Sequence, residues 1–408
     1  MTKPQGEKKH ILVVTQYFYP EAFRINDMCA EWVRRGYKVT VLTGIPNYPY
    51  GKYFEGYGLF KKRRESWQGM DIIRIPLIAR GKSSIGMVLN YLSFVVSGFF
   101  WKCFTPLKAD MVFNFEVSPM TQVLVGVWYA RRRKIPCWLY VQDLWPENIQ
   151  IVTGINSPLV LSPISSMVNY IYRRCDKIFA TSPSFVKLIG ERLGDEKHKV
   201  EYWPQYAEEF YRPLDKKENA LIPEDGRFKV VFTGNVGQAQ GLDILPRAAE
   251  ILKKAEKKPL FVIIGDGRSR DALEESIKSR GVEDMFLLVG RQKAEDIPAL
   301  LACCDAAFVS FMDNPLFANT IPAKLQSYMA CGMPILASAT GETERIVYEA
   351  DCGVCSAIGD EKALAQAVEK LMEDGKLHQY GKNAREYFEA HFDKKMLLDY
   401  FDDCVEKL

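Results

Sequence analysis

Short apolar runs rich in β-branched residues alternate with helical patterns along nearly the whole chain, and they come in two blocks. In the first block the runs fall at 11–15, 39–43, 72–75, 111–115, 137–141 and 178–181. In the second they fall at 228–233, 260–264, 286–289, 307–310, 335–337 and 353–356. Segments between them place apolar residues at helical spacing, as at 21–35 with Ala22, Ile25, Cys29, Trp32 and Val33. Strand–helix alternation of this kind is the signature of a parallel, doubly wound α/β sheet. It breaks at 203–223, where Pro204, Pro213 and Pro223 stand among polar residues. The chain therefore predicts two Rossmann-like domains, 1–208 and 209–390, with 391–408 a C-terminal helix able to return to the first. Its 408 residues are too many for one ordinary core and suit two of about 200. Parallel sheets bind ligands beyond the carboxyl ends of their strands, so candidate residues are sought there, at a cleft between two facing sheets.

Composition narrows the function classes. At 48% apolar and 26% charged, the chain is not a disordered one. Ten cysteines are scattered through apolar runs and read as reduced thiols of a cytosolic protein. Cys352 and Cys355 form a lone C-x-x-C without a second pair, which argues against zinc or redox use. Four histidines leave little material for a metal site. The first nine residues are polar and the apolar stretch 11–14 is short, so no signal peptide is expected.

Charge is uneven. Residues 1–210 hold 28 Lys+Arg against 18 Asp+Glu, and 211–408 hold 26 against 33. The basic half suits an anionic surface or substrate, or simply a solvated face; no nucleic-acid partner is expected. Residues 83–101 carry no charge and are long enough to span a bilayer. A span there would divide the first sheet, so the expectation is a helix either buried in the domain or lying in the membrane interface. Basic clusters Lys61–Arg64 and Arg131–Lys134 favour contact with anionic lipid.

The strand ends supply the candidate chemistry. The first strand runs into Gln16, Tyr17, Phe18, Tyr19, Pro20 and Glu21, then a helix bearing Arg24; no G-x-G-x-x-G is present. The second ends in a loop with Gly44, Pro46, Asn47 and Tyr48, either a stiff turn or a substrate contact. Asp143, Trp145 and Glu147 follow the fifth run, where two carboxylates and an aromatic suit hydroxyl binding or proton handling. The same residues would also serve as a helix cap and a packing ring. In the second domain Gly234, Asn235, Gly237 and Gln240 form a loop that lets backbone approach phosphates. Gly265 and Asp266, then Arg291 and Gln292, close the next two strands and could touch a nucleotide. Asn319, Thr320, Ile321, Pro322 and Lys324 lead into a helix, with Asn319 or Thr320 as expected cap. Free amides, helix dipole and the lysine charge together would make an anion site.

As an ordered set these motifs resemble the GT-B-fold, retaining glycosyltransferases of family four over nearly the whole chain, most closely the WbuB- and WcaI-like bacterial enzymes of capsule, O-antigen and colanic-acid synthesis. The resemblance rests on 16–21, 43–49, 143–147, Gly234 to Gln240, and 321–332. It implies a nucleotide-sugar donor, with uridine diphosphate as the expected nucleotide, bound as substrate by the second domain, with no cofactor and no essential metal. It implies that Tyr19, Glu21, Arg24, Asn47, Tyr48, Asp143 and Glu147 hold a lipid-linked sugar acceptor, at the cytoplasmic face of the inner membrane. The family's Glu-x7-Glu pair is matched here by Asn319 and Ser327, and its diphosphate-loop Arg and Lys by Asn235 and Gln240. Asp143, Glu147 and Asn319 are nonetheless the candidate catalytic residues and Ser327 a ribose contact, with Lys324 restoring positive charge. Rivals are a sugar-nucleotide epimerase of the same fold, a two-lobed binding protein, and an inactive partner subunit.

Overall fold

The computed structural model describes residues 8–81, 83–154 and 156–408. It divides into two compact units, one of Met1–Thr181 with Phe185–Tyr202, the other of Ser182–Ser184 with Trp203–Leu408. The division falls a few residues before the expected 208. The C-terminal helix Lys394–Glu406 belongs to the second unit, where Trp203 stacks on Phe401 and donates to the Leu397 carbonyl.

The first unit holds one sheet built from β1 (His10–Val14), β2 (Lys38–Thr43), β3 (Arg64–Trp67), β4 (Met70–Arg74), β5 (Met111–Glu116), β6 (Cys137–Val141), β7 (Lys177–Ala180) and β8 (Val200–Tyr202). Their order is β3-β4-β2-β1-β5-β6-β7-β8, parallel except for the β3–β4 hairpin. Six were expected; β3 and β8 were not. The β3 run Arg-Glu-Ser-Trp is polar and lies on an edge, and β8 has three residues, so neither writes an apolar run.

The second unit is a six-stranded, all-parallel sheet of β9 (Lys229–Thr233), β10 (Leu260–Ile264), β11 (Phe286–Gly290), β12 (Ala306–Ser310), β13 (Ile335–Ser338) and β14 (Gly353–Ser356), ordered β11-β10-β9-β12-β13-β14. Successive residues of its strands feed two apolar clusters: Val231, Val262 and Val309 one, Val230, Phe261 and Phe308 the other. Helices cover both faces, which is why these strands read as continuous rather than alternating apolar runs.

The uncharged stretch forms the helix Ser84–Phe104, capped by the Ser83 hydroxyl. It is not a core helix. Only Asn90, Phe94 and Gly98 are buried, a stripe at four-residue spacing. Gly98 permits close contact, since a Cβ there would come within 2.4 Å of Val125. The small polar side chains turn inward: Asn90 accepts from Gln16 and donates to the Ile78 carbonyl, and Ser93 accepts from the Ile78 amide. Ile85, Val88, Leu92, Val96, Phe100 and Phe104 are all at least half exposed. Among the described residues this is the one helix long and apolar enough to cross a membrane.

Candidate functional site

In the first unit, the loops after β1, β2, β5 and β6 meet at the carboxyl edge of the sheet, each with a cis X–Pro bond. They enclose, with the helix Ser84–Phe104, a cavity of about 380 Å³. Tyr17, Phe23 and Tyr48 form one wall, with ring centroids 5.3–5.6 Å apart, and Arg80 lies 5.6 Å over Tyr48. Opposite them Asp143 reaches in. Its Oδ2 accepts from the Ser118 amide and hydroxyl, both at 2.8 Å, while Ser118 Oγ takes the Trp145 indole N–H and the Asn148 amide. That network fixes the carboxylate and leaves Oδ1 for a ligand. Flat rings, one carboxylate and one guanidinium are the equipment of a sugar or sugar-phosphate site.

Of the residues expected to hold the acceptor, Tyr48 and Asp143 line this cavity. The others are placed elsewhere. Glu21 is buried, and its two oxygens accept the amides of Asn47, Tyr48 and Phe18, so it clasps the first two loops together. Burial pushes its carboxyl up to about 7, against those amides. Asn47 is buried too, its Oδ1 holding the Arg80 amide. Tyr19 stacks on Trp67 at 4.5 Å, and its carbonyl accepts from Arg74. Arg24 opens the helix Arg24–Arg34 and does not line the cavity. Glu147 is drawn to Arg192, 2.6 Å away.

Sequence reasoning passed over Glu116, the last residue of β5. It is fully buried, and Oε2 accepts from the Gln142 and Asp143 amides at 3.3 Å, directly behind the Asp143 carboxylate. Among the described residues its Oε1 has no hydrogen-bond partner. Burial, helped by the Asp143 charge, lifts its carboxyl well above the usual range. Tyr17 and Arg80 were also passed over; a strand-end position was the available signal for Tyr17, and nothing in the spacing marked Arg80.

In the second unit three strand-end loops are knitted by backbone: Gly234 donates to Ile264, Gly265 to Gly290, and Val236 to Asp266. Glycine is required at 265, where φ is +148° and a Cβ would sit 1.8 Å from the Gly234 carbonyl oxygen. These loops bound a cavity of about 290 Å³ lined by Gly234, Asn235, Gly265, Asp266, Arg291 and Gln292. The six were expected separately, as diphosphate and base or ribose contacts, and the fold brings them together. Gly237 and Gln238 instead line a second cavity, of about 460 Å³, on the far side of the same loop.

Lys324 comes from the helix Ala323–Ala330. Its cap is Pro322, not Asn319 or Thr320: those side chains bond back to the Pro315 and Leu316 carbonyls and close the preceding turn. The expected cap is thereby corrected, while the first-turn amides of Ala323 and Lys324 still lack intrahelical partners. Ile321 is buried beside them. The Lys324 ammonium donates to Gln240 Oε1 and lies 4.2 Å over the Phe232 ring. Burial pulls it down to about 7, with no carboxylate to oppose the shift. Ser327 lies on the buried side of the helix, its hydroxyl bonded to the Ala323 carbonyl, and does not line the nucleotide-sized cavity. Cys352 and Cys355 are both pushed up to about 12 by burial, far from thiolate chemistry at neutral pH. Among the described residues no three of His, Cys, Asp and Glu gather as metal ligands.

Two family models match the chain: the glycosyl transferase 4-like domain over residues 22–204 and glycosyl transferases group 1 over 215–387. The putative colanic acid biosynthesis glycosyl transferase WcaI of Escherichia coli is 25% identical across 96% of this chain and 98% of its own. The probable glycosyltransferase WbjE of Pseudomonas aeruginosa is 28% identical over 66% of this chain and 68% of its own. Among solved structures, sucrose-phosphate synthase from Thermosynechococcus elongatus superposes with a TM-score of 0.76 at 16% identity, covering 98% of this chain and 99% of that one. Anabaena HepE in complex with UDP gives 0.68 at 17% identity, covering 98% and 100%. With both units accounted for in order and the fold matched end to end, the chain belongs to the family-four glycosyltransferases of GT-B fold.

Proposed function

We propose that this glycosyltransferase moves a sugar from a uridine-diphosphate donor to a polyprenyl-diphosphate-linked sugar in bacterial surface-polysaccharide synthesis, with retention and without a metal. The observation that carries the donor half is the second unit's strand-end cavity, with a lysine ammonium at a helix start on the same edge of the sheet. The base and ribose enter the cavity at Asp266, Arg291 and Gln292. The diphosphate meets the Gly234–Gln240 loop, Thr320 and Lys324. HepE, of the same fold, is described in complex with UDP, which supports uridine diphosphate as the nucleotide to test first. The name of WcaI supports a polysaccharide product, and an N-acetylated deoxy-sugar such as N-acetyl-fucosamine is the first donor to try.

Retention needs a nucleophile or attack on the face the leaving group departs from. No carboxylate lines the donor cavity except Asp266, whose Oδ1 accepts the Gly267 amide. The departing phosphate then takes the acceptor's hydroxyl proton, and Lys324 with the helix amides stabilises the charge that develops. Asp143 orients the acceptor hydroxyl, and Asn319 stands at the donor sugar's end of the phosphate site.

The acceptor half rests on a shared helix. Met87 and Tyr91 line the first unit's cavity, while Val88, Leu92 and Val96 on the same helix are exposed. An acceptor with a polar head and a long apolar tail suits that arrangement, and the protein then works at the cytoplasmic membrane surface.

Thermal-shift screening against nucleotide sugars tests the donor, since a tight ligand raises stability by mass action. No shift with any uridine-diphosphate sugar would refute the assignment. Turnover that survives a chelator supports metal independence, and its restoration only by magnesium or manganese would overturn it. Proton NMR of the product's anomeric signal decides retention.

A further inference from the structure

The exposed helix is not the first unit's most exposed apolar feature. Residues 58–61 close a tight turn, in which the Lys61 amide donates to the Gly58 carbonyl at 3.2 Å. Its two central residues are Leu59 and Phe60, and Phe60 is 96% exposed. Four cations follow without a break: Lys61, Lys62, Arg63 and Arg64.

The turn is braced. Arg63 donates to the Leu59 carbonyl at 2.9 Å and to the Arg74 carbonyl on β4. Lys62 lies 4.9 Å over the Tyr57 ring. A phenylalanine held out at the tip of a braced turn is not a side chain that failed to find the core; its backbone is fixed so that it points outward. The preceding loop ties this region to the start of the exposed helix, since Gly81 donates to the Gly51 carbonyl and Tyr53 to the Leu77 carbonyl.

We infer that the Leu59–Phe60 turn is a second membrane contact, an apolar wedge set among lipid acyl chains with Lys61, Lys62 and Arg64 on anionic headgroup phosphates. This rests on the reading that the protein works at a membrane, and adds where and how it is held. Charge selects the occupant: consecutive cations beside an aromatic tip complement an anionic bilayer. Size excludes a stable protein partner on this turn alone, because two apolar residues fall far short of the roughly 800 Å² per side of an ordinary interface. Two contacts also answer a physical need, since one weak anchor holds a protein to a bilayer only marginally.

The test uses the full chain and vesicles of phosphatidylglycerol with phosphatidylethanolamine, against phosphatidylcholine alone. Phe60→Ser should lower partition to the anionic vesicles on the order of tenfold while leaving the melting temperature unchanged, as befits a side chain in water. Lys61→Gln combined with Arg64→Gln should erase the preference for anionic lipid. Phe60→Trp should add emission that brominated acyl chains quench. If Phe60→Ser partitions as the parent does and the added emission is not quenched, while Leu92→Ser with Val96→Ser abolishes binding, the helix alone holds the protein and the wedge is refuted. If the parent binds neither vesicle, the membrane reading falls with it. If Phe60→Ser instead abolishes self-association in light scattering, the turn meets a second copy of the chain and the lipid assignment is overturned.

Discussion

Lys324 carries a charge that its own surroundings do not balance. Its ammonium has an amide oxygen and a ring face for company, and burial draws it from 10.5 to about 7. Between those values the unfolded chain binds more protons than the folded one, so this group makes stability rise with pH across that window; below it the cost of the buried charge is carried in full. Lys324→Met should therefore raise stability at pH 6 and change it little at pH 10, by urea unfolding. It should also weaken uridine-diphosphate binding by about 1–3 kcal/mol in calorimetry, since a diphosphate would pair with that ammonium. In the parent protein affinity should fall as pH climbs above 7, because binding must then bring a proton with it. A variant both less stable and unchanged in affinity would make Lys324 structural.

Glu116 runs the other way. Its raised carboxyl means that the folded chain holds a proton the unfolded chain releases from about pH 4.5 upward, so stability is lost as pH rises from there. Glu116→Gln keeps a neutral acceptor for the Gln142 and Asp143 amides. It should flatten the profile and match or exceed the parent at pH 8; a large loss at pH 8 would show that the carboxylate is ionised and required. Asp143 and Tyr48 were legible because they stand in loops that follow apolar runs. Glu116 was not, since a carboxylate at the last position of a strand looks like its solvated end until the neighbouring strands bury it.

Elements show the same division between what spacing reveals and what packing decides. All six strands of the second unit could be placed from their runs, because a sheet covered on both faces writes continuous apolar stretches. In the first unit β3 could not, because an exposed edge strand obeys no such rule. The helix Ser84–Phe104 was left between core and surface by its sequence, and the choice was made by Asn90, Phe94 and Gly98, a stripe too narrow to bury the rest. The strand-end loops of the second unit depend on one atom not being there. Gly265→Ala places a methyl 1.8 Å from the Gly234 carbonyl at a φ few side chains adopt, so β9 and β10 must part at their ends. A cost of about 1–3 kcal/mol is expected from the backbone strain alone. Nucleotide binding should fall with it, and unchanged binding in calorimetry would mean that the nucleotide does not lie in this cavity.

At the scale of the molecule, the chain is two folding units, each with its own sheet and core, and the two proposed substrates are divided between them. The contacts proposed for the donor all come from the second: the loops after β9, β10 and β11, and the helix Ala323–Ala330. A ligand stabilises only what it binds, by about 2.7 kcal/mol at a hundred times its dissociation constant. Two units with separate cores need not unfold together, so scanning calorimetry should resolve two transitions. Uridine diphosphate should raise one of them and leave the other in place. Gly265→Ala should lower that same transition in the absence of nucleotide, which identifies it as the second unit's without reference to the ligand. If the nucleotide raises the transition that Gly265→Ala leaves untouched, the donor binds the first unit and the two halves of the mechanism must be exchanged. If one transition moves as a whole under both, the units unfold as a single cooperative body, and the donor assignment then rests on Lys324→Met alone.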